Sequence, residues 1–532
     1  MTIAGRAPTS DPAVYPLAAE ADGLRAFESL QRSFHTLREP SPVRHSVYLD
    51  TFDWRLHQRG LRLASRAADG ISALELESDH DRLECRLSNG ALPAFAADLP
   101  VGRLHERVAP LIELRRLLPL ATLETTGQVL RVLGSQDKTV ARVVVEWTSV
   151  TAPGTEGAVL ALQPILRLLP VRGYPAAAAR VARHIEDQVG LTPSHSPPFA
   201  EAMQALGRRP GDYSSKPTVR LSRELRADHA ATAICLQLLD NMVANEDGVR
   251  RDLDVEFLHD FRVSIRCTRS ALAQLKSVFS SDATSNFRQE FKWLGSVTGA
   301  VRDLDVYLLK MDEYRANLPA AAGDDLEPLS KFLRRHRGAE RRRLVAALKS
   351  RRYRTLTHDW REFLAGNIGG EPPAANARRP VMDVASERIW RAYRHVYDDG
   401  RKIDSNTPAD ALHELRIDCK KLRYLLEFFY HLYSEDDIKP LVKSLKRLQD
   451  NLGDFNDLEV QQRTLQRFAH QMDEEGLASV NCLLAMGRLL DHLLHQQASE
   501  RRRFTACFQR FSAADNRTRF ERLFKSPQRA CE

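Results

Sequence analysis

The chain has 532 residues, which at roughly 150 residues per domain sets an expectation of about three or four units with their own cores and excludes a small stapled scaffold. Hydrophobic residues make up 43% and charged residues 28%, which excludes a wholly disordered, collagen-like or membrane-embedded chain. The formal net charge is +8, and because the first 215 residues hold 24 basic and 24 acidic side chains, the whole excess lies beyond them. An anionic partner is therefore expected for the C-terminal part, with nucleic acid, a phosphate polymer and an acidic protein all open at this point.

The N-terminus has no basic stretch followed by an apolar run, and no run of about 18 apolar residues occurs anywhere, so neither export nor membrane spanning is expected. Seven cysteines are scattered without a C-x-x-C pair, which suggests neither a disulfide framework nor a zinc ribbon, and a reducing cytoplasm is the simplest setting. The first 200 residues alternate as short strands do, at His45–Leu49, Leu74–Ser78 and Val140–Trp147, with Gly and Pro between them. A helix is predicted over Pro175–Val189, stopped by Gly190. Residues 207–220, rich in Gly, Pro and Ser, read as a linker.

From about Leu221 the texture becomes helical, with segments at Arg223–Ala244, Glu256–Phe279 and Leu326–Leu356. A Gly/Pro-rich break at 366–380 interrupts it, and helical periodicity then resumes to about Phe511. The predicted class is α+β in two domains: an antiparallel β-rich domain over 1–206, and an all-α domain over 221–515 built as two repeats, about 221–365 and 381–515. Residues 516–532 are expected to form a tail.

Internal repetition supports this division. The run from His259 to Arg269 matches His413 to Arg423 at an offset of 154 residues, Lys292 falls on Lys446 at the same offset, and the run from Gly299 to Val306 falls on Gly453 to Val460. Glu340–Leu344 returns as Glu500–Phe504 at an offset of 160.

Within each repeat a histidine and three cations stand at i, i+3, i+7 and i+10: His259, Arg262, Arg266 and Arg269, then His413, Arg416, Lys420 and Arg423. At about 100° per residue they fall within roughly an 80° arc, and at 1.5 Å per residue the stripe is about 15 Å long. Phe261, Val263, Ile265 and Leu272, with Leu415, Ile417, Leu422 and Leu425, supply the apolar faces for packing. A linear row of Arg and Lys suits an extended polyanion with little stereochemical demand. The alternative is a solvated face or a set of internal ion pairs, which basic residues at helical spacing commonly form. That both copies keep the four polar positions while apolar neighbours drift favours the first reading. No His or Cys/Asp cluster completes a metal site around either histidine. Arg302, Asp303 and Asp305, with Asp457 and Glu459, read as structural rather than catalytic, the acids standing at a helix start where they favour the dipole and orient neighbouring arginines. The triplets Arg341–Arg343 and Arg501–Arg503, with Lys349, Arg351 and Arg352, either widen the groove or solvate an outer face.

At these residues the sequence resembles the CHAD family, the conserved histidine α-helical domain, over about Leu221 to Phe511. The resemblance implies two four-helix halves about a pseudo-twofold axis and a central basic groove that binds inorganic polyphosphate. It assigns His259, Arg262, Arg266, Arg269, Lys292, His413, Arg416, Lys420, Arg423 and Lys446 to that groove; Asn456 departs from the pattern where the first copy has Arg302. The N-terminal part is similar to the CYTH, or triphosphate tunnel, family through Tyr48–Asp53, Leu56, Gly60–Arg66 and Arg82–Glu84. That resemblance implies clustered carboxylates holding a divalent metal against a triphosphate. Here no E-x-E-x-K occurs in the first fifty residues, Leu160–Leu168 carries no carboxylate, and Ala64 stands where the family has arginine. Glu75 and Glu77 read as alternating acids on an exposed strand.

The expectation is non-catalytic polyphosphate binding, with no cofactor, no metal and no membrane. It places the chain in the cytoplasm at polyphosphate granules, where granule-associated proteins are possible partners. Metal-dependent triphosphatase activity and weak, nonspecific nucleic-acid binding are the alternatives. Aromatics at 7% and the lack of an RNP-like or helix-turn-helix signature leave few instruments for reading bases.

Overall fold

A computed structural model describes residues 12–525, apart from 69, 79–80, 88–89, 155–157, 195–196, 216–218, 320–321, 367–373 and 405. Two compact units divide the chain after Tyr213.

The first unit is an antiparallel sheet with helices. In chain order it runs β1 (Ala13–Pro16), α1 (Glu20–Ser33), β2 (Thr36–Asp50), β3 (Arg62–Ala68), β4 (Ile71–Glu77), β5 (Arg82–Arg86), α2 (Arg103–Ile112), β6 (Leu118–Leu133), β7 (Thr139–Thr151), β8 (Leu160–Ala161), β9 (Ile165–Pro170), α3 (Pro175–His184) and α4 (Pro198–Ala205). The strand order is β1-β9-β7-β6-β2-β3-β4-β5, with β8 beside β7. Between Ser41 and Arg44 the β2/β6 register shifts, because Pro42 has no N–H to give the ladder. Val143, Val145, Leu130 and Leu166 form one core with Phe27 of α1 and Val181 of α3. Leu49, Leu63, Leu74 and Leu76 form another with Leu104 and Val108 of α2. Tyr48, Ala64, Leu123 and Val150 meet Phe199 and Met203 of α4. Register places these last residues on the same sheet face as Arg66 and Glu75.

The stretch read as a linker from residue 207 is anchored to this unit as far as Tyr213. Arg208 lies over the Trp54 ring at 5.2 Å and donates to the Leu120 carbonyl, and Trp54 Nε1 donates to Asp212 at 3.0 Å. The buried Tyr213 ring sits 4.5 Å from Phe52. Aromatic and charged anchors interleaved among the Gly and Pro residues account for the difference.

The second unit is helical: α5 (Ala227–Arg251), α6 (Val255–Gln274), α7 (Ser281–Leu309), α8 (Met311–Ala316), α9 (Glu327–Lys349), α10 (Arg351–Gly366), α11 (Val381–Gly400), α12 (Ala409–Phe428), α13 (Glu435–Glu474), α14 (Val480–Phe511) and α15 (Ala514–Phe524). The single helix expected over Leu326–Leu356 is two. The backbone turns extended at Ser350, and its hydroxyl accepts from the Tyr353 N–H to begin α10. The tail expected from residue 516 begins inside α15. Phe520 and Phe524, one turn apart, are both buried, and Phe520 stacks on Tyr393 of α11 at 3.9 Å; many charged neighbours hide this short apolar face in the sequence. Of the break at 366–380, residues 367–373 lie outside the described residues. The remainder is tied to α5 through the Ala227 N–H to the Arg379 carbonyl and the Asp228 N–H to the Ala377 carbonyl.

In the first repeat α6 packs between α5 and α7; in the second α12 packs between α11 and α13, and α6 also meets α12. A shared apolar cluster joins the repeats elsewhere. It combines Leu304 and Tyr307 of α7, Met311 of α8 and Phe332 of α9 with Leu465 and Phe468 of α13 and Met486 and Leu489 of α14.

Candidate anion-binding site

The two stripes lie on α6 and α12. Asp254 starts α6 by accepting from the N–H groups of Glu256 and Phe257 at 2.9 and 3.1 Å. Phe261, Ile265 and Leu272 are buried beneath the first stripe, and Leu415, Leu422 and Leu425 beneath the second. Ile417, expected in the packing face, is exposed and instead lines a cavity.

That cavity has a volume of about 1050 Å³. Five cations of the first repeat line it, Arg266, Arg269, Lys276, Arg288 and Lys292, together with Lys420 and Lys421 of the second. Ser270, Ser277, Ser280, Ser281, Thr284 and Ser285 add hydroxyls, and Tyr424 adds a ring. Among the described lining residues there is no carboxylate. Crowded cations raise one another's free energy when partly removed from water. Burial first, then Arg416 and Arg266, pull the Lys420 ammonium down to about 8. Burial likewise depresses the Arg262 guanidinium, and Asp303 only partly offsets it.

Four of the ten residues expected at the groove, Arg266, Arg269, Lys292 and Lys420, line this cavity; the other six do not. Arg262 donates to the Gly295 carbonyl and to Thr298 Oγ1, both at 3.0 Å. Arg416 pairs with Asp457 at 2.9 Å, Arg423 pairs with Glu427 at 2.7 Å, and Lys446 is exposed on α13. His259 and His413 each face residue 43 positions onward. Arg302 Nη2 lies 3.2 Å from His259 Nδ1, and Asn456 Oδ1 lies 2.5 Å from His413 Nδ1. Donor logic then gives the two rings opposite roles at Nδ1, acceptor in the first and donor in the second.

Lys276, Arg288, Lys421 and Tyr424 were not singled out by the repeat. Arg288 stands one turn before Lys292 on α7, and Tyr424 one turn after Lys420 on α12, so helical spacing carried a signal for both. The acids read as lying at a helix start are instead inside long helices: Asp303 and Asp305 within α7, Asp457 and Glu459 within α13. Conspicuous charge without a capping residue misled the reading. They do orient arginines, Asp305 holding Arg337 at 2.5 Å and Asp457 holding Arg416. The arginine triplets act away from the cavity: Arg341 bonds the Arg250 carbonyl at 3.0 Å and Asp252 at 3.2 Å, and Arg501 bonds the Thr407 carbonyl.

In the first unit Glu75 departs from expectation. It is 3% exposed, not an acid on an open strand. Arg66 holds it at 2.5 Å, and Arg82 lies on its other oxygen. Glu146, also buried, sits between Arg44 at 2.6 Å and Arg167 at 3.2 Å. Each carboxylate is thus occupied by two guanidiniums, a donor set that does not fit a divalent cation, whose oxygen ligands must be free to converge. Asp50, pushed up to about 6 by burial, accepts from the N–H groups of Thr51, Leu56 and His57, and fixes the turn after β2.

Comparison with known proteins places these features. Residues 233–466 match the sequence model of the CHAD domain family. An uncharacterized protein of Mycobacterium tuberculosis (strain CDC 1551 / Oshkosh) is 26% identical over 250 residues, 46% of this chain and 46% of the relative. The chain thus matches about half the length of that curated relative. Among solved structures, the CHAD domain from the plant Ricinus communis is 26% identical with a TM-score of 0.48, covering 56% of this chain and 96% of that one. An adenylyl cyclase-like protein from Hippeastrum, described as having a dominant triphosphatase activity, is 13% identical with a TM-score of 0.25, covering 38% of this chain and 99% of that one. The duplicated histidine helices and the family match coincide in the helical unit, where residues 233–466 are similar to the CHAD domain.

Proposed function

We propose that this chain binds inorganic polyphosphate without catalysis, through the basic groove where α6 and α12 meet. The observation that carries the reading is the cavity lined by seven cations and several hydroxyls, with no carboxylate among its described lining residues. Such a surface gathers positive charge with no acid among its described lining residues, and a flexible chain of phosphates supplies one charge after another with little demand for fixed stereochemistry. Arginine forks and mobile lysine ammonium groups both suit phosphate oxygens. On this reading the protein collects in the cytoplasm where polyphosphate accumulates, beside granule-associated proteins.

The test is calorimetric titration of the full chain with polyphosphate across a salt series. Log affinity is expected to fall nearly linearly with log salt, by analogy with nucleic acids. The triple variant R266A/R269A/K292A is expected to keep its helicity and lose binding; undiminished retention of polyphosphate by that variant refutes the reading. In competition at equal phosphate concentration, polyphosphate is expected to displace single-stranded RNA, and the reverse order would favour a nucleic-acid partner.

A further inference from the structure

The two repeats present the same stripe but do not leave it equally available. In the first repeat, Arg266, Arg269, Lys276, Arg288 and Lys292 all line the cavity, and none of them makes an ion pair among the described residues. In the second, Arg416 is held by Asp457, Lys421 by Asp418 and Arg423 by Glu427.

The cause can be followed residue by residue. Arg269 and Arg423 are equivalent under the 154-residue offset. Arg269 faces Gly295, where an added Cβ would come within 3.3 Å of its Nη1, and the position one turn beyond it is Ala273. The counterparts of Gly295 and Ala273 are Gln449 and Glu427, and both bond Arg423, at 3.4 and 2.7 Å. Two side chains therefore turn an available guanidinium into one already satisfied. The α6–α7 corner extends the difference: Lys276 and Arg288 line the cavity, whereas the positions matching them are Tyr430 and Val442.

We propose that the duplicated site works asymmetrically. The first repeat holds the phosphate chain and extends its grip onto Arg288 and Lys276, while the second repeat's stripe is neutralised by its own carboxylates and contributes mainly Lys420. This rests on the polyphosphate reading above and adds which half does the binding.

Single-charge deletions in the full chain separate the halves, read by polyphosphate affinity at fixed salt. One lost charge-assisted contact should weaken binding by about tenfold or more for R269A, and K276A/R288A should do so as well. R423A should change affinity by no more than about twofold, since its charge is already paired. E427Q should strengthen binding, and in that background R423A should become as costly as R269A is in the parent, a coupling that a merely structural Arg423 would not show. Equal losses for R269A and R423A in the parent, with binding otherwise intact, overturn the asymmetry and leave polyphosphate binding standing. No polyphosphate binding by the parent chain overturns both. If R423A fails to fold, E427Q decides alone: tighter binding supports the inference, and unchanged binding overturns it.

Discussion

Lys420 shows how one residue can report the state of the site. Its ammonium is pulled down to about 8 by burial and by Arg416 and Arg266. Below that pH it is charged with or without ligand. Above it, the free protein loses the proton and an arriving polyanion must draw it back. Affinity is therefore expected to be flat below about pH 7, and to fall as pH rises through 8, with proton uptake measurable by calorimetry in buffers of different ionisation enthalpy. K420R should remove that dependence, because arginine stays charged throughout. The sign for stability runs the other way: a depressed lysine penalises the fold while charged, so its cost is present below about 8 and relieved as pH rises toward the ordinary lysine value. The stripe was legible at this scale, because helical period alone puts 259, 262, 266 and 269 on one face. Which of its members stay free was not, since that depends on Glu427, Gln449 and Asp457, groups reached only through folding.

Among the elements, α15 is the one the sequence concealed. Eleven residues with a single pair of buried phenylalanines give a weak periodic signal, yet Phe520 stacks on Tyr393 and meets Phe511. Replacing it with alanine is expected to cost about 3–5 kcal/mol by leaving a cavity, measured by denaturant unfolding. Gly400, at the end of α11, allows the opposite test. A Cβ there would stand 2.1 Å from Phe508 Cε2, so G400A should destabilise by about 1–3 kcal/mol through overpacking. The long helices α5 and α6 were readable because their periodicity extends over several turns. The division at Ser350 was not, since a serine that caps a helix looks the same in sequence as one that sits on it.

For the whole molecule, the two units pose separate questions. The strand alternation of the first unit was visible in sequence, but the fate of its acids was not: Glu75 and Glu146 each end between two arginines drawn from other strands. Incubation of the full chain with tripolyphosphate and Mg²⁺ or Mn²⁺ is accordingly expected to release no phosphate, and clear release would assign this unit a reaction its donor set does not explain.

In the second unit, α7 begins at the cavity and ends in the apolar cluster shared by both repeats. Lys292 and Leu304 are twelve residues apart, about 18 Å along the helix. The apolar join between the repeats thus lies well away from the cavity, at which α6 and α12 bring the two repeats together a second time. On the proposed reading, polyphosphate is therefore expected to slow amide exchange near Lys276 and Ser281 and to leave the protection of the shared apolar cluster unchanged.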